Sequence, residues 1–255
     1  MSFHDAYLRR TPVDVIFPTP EEAEAWVGEV AGAGDDSDHV DLASFLGLAP
    51  VRALLDRSLA ADTDGTAESP LGTLAFFTYQ ALLAADIRHV DEATVRAAVT
   101  SRQAQSHRPA WRVGAGYVQL PRNLVWTTPE TGARPEPVDG FFWYLPEASG
   151  LSLLLVSGLI AGHPQLNVIL VQDAPITDAA LWESGSMRDE GPDFESTIPG
   201  GEQLYSLANM GEALKLTSRL IGLATGEAPA GEAPVAPDPA RSWLGYRVVH
   251  AKPGD

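Results

Sequence analysis

The chain has 255 residues, 34 of them acidic and 17 basic, which gives a formal net charge of −17 and a pI near 4.6. A surface this negative repels phosphate backbones and anionic lipid headgroups, since binding either takes a local excess of Lys and Arg, and no stretch supplies one. There is no cysteine, which excludes disulfides, thiolate zinc sites, iron–sulfur clusters and Cys nucleophiles.

The partners left are small molecules, metals and other proteins. Hydrophobic residues make up 45% of the chain and charged residues 20%, as in folded globular proteins, and 255 residues can bury a full core. The N-terminal residues show no apolar signal region. The longest apolar run, Leu151 to Ala161, is about half the roughly 20 residues of a spanning helix. The expectation is a soluble cytoplasmic protein. Only Lys215 and Lys252 represent lysine among many arginines, and with abundant Ala, Gly and Pro this usage points to a GC-rich bacterial genome.

In chain order, Val13 to Phe17 reads as a short strand. Thr19-Pro20-Glu21-Glu22 then reads as a capping box with proline at the first helical position. Ala23, Trp26, Val27 and Val30 follow as one apolar stripe on a helix that stops near Gly32. Asp41 caps a short helix with Leu42, Phe45 and Leu46, and Pro50 starts another with Val51, Leu54, Leu55 and Leu59 on one face. Ser69-Pro70 opens a helix over Leu71 to Ala85. Its apolar residues surround most of the circumference, the mark of a central helix. Asp91 caps the last helix of this half, with Val90 and Val95 placed as a hydrophobic staple.

After about residue 110, short β-rich runs alternate with turn signals. Candidate strands are Arg112 to Leu120, Asn123 to Thr127, Val138 to Leu145, Leu151 to Ile160 and Leu166 to Gln172, forming a mostly antiparallel sheet. Leu151 to Val156 is apolar on both faces and belongs at the covered centre of the sheet. Gln203 to Leu223 returns to helix. The reading is an α+β domain over residues 1–224, helical at 18–105, sheet-rich at 110–182 and helical again at 203–223. Residues 225–240 form a flexible Ala/Pro/Gly/Glu linker.

Residues 241–255 differ in kind. Trp243, Leu244, Tyr246, Val248 and Val249 make an apolar run with β character, and Arg241, Arg247 and Lys252 outweigh Asp255, so this tail carries +2 and the rest of the chain −19. A basic, aromatic tail tethered behind an acidic body suits docking on a sheet edge, in its own chain or in a partner.

Candidate chemistry is sparse. Asp62-Thr63-Asp64-Gly65-Thr66 resembles the first motif of haloacid dehalogenase-like phosphatases. The resemblance implies Asp62 as nucleophile and Asp64 as general acid/base beside Mg²⁺. In that family the motif ends a buried strand. Here it follows the helical stripe of Val51 to Leu59 and reads as a polar turn between helices. Asp35 to Asp41 gathers oxygen donors but lacks the glycine and terminal Glu of an EF-hand loop. The six histidines are dispersed without ligand spacing, so no metal or cofactor is implied. Gly114-Ala115-Gly116 reads as a bend in a strand. Trp111, Tyr117, Trp126 and Trp143 could line a ligand groove if they share a face, and core packing uses the same residues. The chain is expected to be a non-enzymatic protein-binding protein, an adaptor, assembly factor or inhibitor. The alternative is a metal-dependent hydrolase built on Asp62 and Asp64.

Overall fold

A computed structural model of the chain describes residues 11–34, 41–59, 68–95, 114–121, 124–127, 136–146, 152–157, 165–169, 205–207, 216–217, 220–221, 243–244 and 247–249. Five helices come first: α1 (Pro12–Ile16), α2 (Pro20–Ala33), α3 (Leu42–Gly47), α4 (Ala49–Leu59) and α5 (Glu68–Ala84). Eight strands follow: β1 (Ile87–Val90), β2 (Gly114–Gln119), β3 (Val125–Thr127), β4 (Glu136–Leu145), β5 (Ser152–Ser157), β6 (Gln165–Ile169), β7 (Tyr205–Leu207) and β8 (Arg247–Val249). The chain is an α+β protein.

The first helix corrects the expected strand at Val13 to Phe17. The Thr11 hydroxyl accepts the Asp14 backbone N–H at 3.4 Å while the Asp14 carboxylate accepts the Thr11 backbone N–H at 2.6 Å. That two-way box, with Pro12 at the first helical position, satisfies the exposed N–H groups of a helix start and outweighs the β preference of Val and Ile. In α2, Thr19 accepts from the Glu22 backbone at 3.3 Å, and Ala23, Trp26 and Val30 are the buried stripe. Asp41 caps α3 through the Ser44 N–H at 2.9 Å; these bonds favour the carboxylate and hold its pKa below the usual value.

α5 is the central helix. Leu74, Ala75, Phe76, Phe77, Thr78, Tyr79 and Ala81 are all buried, which covers every direction around the axis. It packs against α3 and α4 on one side and against β2 and β4 on the other. Tilted and edge-on ring pairs run through this layer, from Phe17 and Trp26 through Phe45, Tyr79 and Phe76 to Tyr144 on the sheet. The helix ends at Ala85, which takes a left-handed φ of 49°.

The sheet runs in the order β6-β5-β4-β2-β1-β8, with β3 pairing β4 and β7. It is mixed, with antiparallel pairs in the majority as expected and three parallel pairs beside them. β2–β4, β4–β5, β5–β6 and β3–β4 are antiparallel, whereas β1–β2, β1–β8 and β3–β7 are parallel. The parallel pairs all involve strands of three or four residues that the sequence did not mark. β1 lies inside the stretch read as helical, 18–105, between the helix expected to end at Ala85 and the Asp91 cap. β7 lies inside the helix expected over 203–223, of which Leu216–Thr217 and Leu220–Ile221 are helical. Tyr205-Ser206-Leu207 fits a two-residue period as well as a helical one, and the available edge of β3 decides it.

Both faces of the sheet are buried. Direct cross-strand partners share a face, so Tyr117, Phe142 and Leu154 form one row, and they join Leu74, Phe77 and Trp26 in one hydrophobic cluster. The opposite row, Gly116, Trp143 and Leu153, is buried too, as are Val118, Phe141 and Leu155. Leu216, Leu220 and Ile221 are likewise buried.

Candidate functional site

The site is built where the two ends of the chain meet. α1 stops at Phe17, whose φ of −122° and ψ of 100° are extended, so its carbonyl no longer points along a helix axis. The Phe17 ring is buried and lies 5.0 Å from that of Trp26. The turned-out carbonyl accepts the indole N–H of Trp243 at 2.7 Å, a bond between residues 226 apart in sequence. Leu244 beside it is buried and belongs to the same core cluster as Phe17, Trp26 and Phe77, while Trp243 packs half-buried against that cluster. An indole body with a polar N–H suits a position that is apolar on one side and presents a backbone acceptor on the other.

Three residues on, the chain becomes β8 and runs parallel to β1, with Arg88 level with Arg247, His89 with Val248 and Val90 with Val249. β8 ends the path of the sheet. Trp243, Leu244, Val248 and Val249 are thus placed together around α1 and β1; Tyr246 lies outside the described residues.

β1 itself is held from behind. The Asp86 carbonyl accepts the Tyr117 N–H at 2.9 Å and so locks the start of β1 to β2. The Asp86 carboxylate grips Arg88 with two bonds, at 2.5 and 2.9 Å, in a largely buried ion pair. This pairing has an electrostatic consequence. Asp86 neutralises the charge of Arg88 on the strand beside β8. His89 is also buried, and that burial pushes its pKa down to about 4, so it is neutral at pH 7.

The aromatic candidates fall elsewhere. Tyr117 is fully buried, its hydroxyl donates to Gln119 Oε1 at 3.0 Å, and its ring sits 4.6 Å from Phe142. Gln119 in turn donates to the Asp139 carbonyl at 2.8 Å. Trp143 pairs with Gly116 on the opposite face, so the register does not bring Tyr117 and Trp143 together. Trp126 is half-buried on β3. Trp111, Asp62 and Asp64 lie outside the described residues. Among the described residues, no three His, Asp or Glu side chains are grouped to hold a metal ion, and no helix is long and apolar enough to cross a membrane.

Sequence reasoning missed β1, the strand on which the tail sits. The one available signal was negative: Ile87 to Val90 falls between the end of a helical stripe and the Asp91 cap, which accepts the Thr94 N–H at 2.7 Å. A four-residue segment so bounded is too short for a helix of its own. No protein-family model, curated protein or solved structure matches this chain.

Proposed function

We propose that the chain is a non-enzymatic bacterial cytoplasmic protein that works by binding another protein, as an adaptor, assembly factor or inhibitor. The observation that carries this reading is the tail. An edge strand of three residues, anchored by Trp243 and Leu244, closes the sheet from the far end of the chain. An edge strand offers backbone donors and acceptors to another chain, and main-chain pairing plus side-chain pockets is a general way to recognise an extended segment. The charge balance supports a protein partner over nucleic acid or membrane.

The test is reconstitution. The full chain is immobilised, bound proteins from a native-host extract are identified, and the candidate is purified and mixed with the chain. A complex of fixed stoichiometry, seen by size-exclusion chromatography with light scattering at about 0.15 M salt, near physiological, is the expected outcome. If no purified candidate forms such a complex, the reading is lost.

A further inference from the structure

We draw no further inference here: the strongest candidate, the cluster of buried polar side chains His89, Tyr117 and Gln119 on the neighbouring strands β1 and β2, carries nothing, because Gln119 accepts from the Tyr117 hydroxyl and donates to the Asp139 carbonyl within the sheet and nothing among the described residues points to a ligand there.

Discussion

Adding one methyl group at Gly116 should destabilise the protein, and adding one at Gly28 should do the opposite. A Cβ on Gly116 would stand 2.7 Å from the Asp86 carbonyl oxygen and 2.7 Å from the Trp143 indole nitrogen. Ordinary contact begins near 3.4 Å, so two groups must each yield by about 0.7 Å. Neither is free to do so: the carbonyl is bonded to the Tyr117 N–H at 2.9 Å, and Trp143 is buried between β2 and β5 in the register of β4. Overpacking of this kind costs about 1–3 kcal/mol, and the involvement of backbone places Gly116→Ala at the upper end, about 2–3 kcal/mol. For a chain of this length that is a fall in Tm of about 5–10 °C. At Gly28, in the exposed middle of α2, nothing lies within 4 Å of the added carbon. There the change removes only the entropic disadvantage of glycine in a helix, and Gly28→Ala should stabilise by about 0.5–1 kcal/mol. Urea unfolding followed by circular dichroism gives both values on one scale. A Gly116→Ala protein within about 0.5 kcal/mol of wild type, the scatter expected of a neutral surface change, would refute the packing argument.

Ala85→Gly should stabilise by about 0.5–1 kcal/mol in the same assay, because an L-residue at φ 49° carries a steric cost that glycine avoids. Thr78→Val should stabilise by about 1 kcal/mol: the Thr78 hydroxyl is fully buried with no hydrogen-bond partner among the described residues, and valine keeps the shape while removing the stranded oxygen. Burial lowers the folded pKa of His89 to about 4 from 6.5. The unfolded chain therefore binds the extra proton first, and the contribution of neutral His89 is complete above pH 6.5 and lost as pH falls toward 4. The full loss is about 3 kcal/mol; His89→Gln should flatten the slope of unfolding free energy between pH 7 and 5, and an unchanged slope would show that His89 is not its source.

The helices were the most legible part of the sequence because their signals are local. The Trp26 and Val30 stripe, the Asp41 cap and the all-round apolar surface of Leu74 to Ala81 each lie within a few turns, and the structure places them as read. β4 and β5 were legible for the same reason, as long runs of aromatic and branched residues between turn signals. What stayed hidden is pairing. Whether Ile87 to Val90 becomes a strand depends on Tyr117 and Val248, distant in sequence, and no periodicity in four residues records that. Val13 to Ile16 erred in the other direction: β-branched residues suggested a strand, and the Thr11–Asp14 box three residues apart overrode them. In the candidate site, the tail's composition marked Trp243 and Leu244, but their receptor is assembled from a helix end and a strand edge that share no motif.

The bond from Trp243 to Phe17 has a bearing on synthesis. The acceptor leaves the ribosome early and its donor 226 residues later, an interval of about 10–50 s at ordinary elongation rates. From the synthesis of β1 onward, its outer edge is available while the strand that pairs with it has not been made. A nascent chain is thus born with its edge open. The chain covers that edge itself only once β8 has been made.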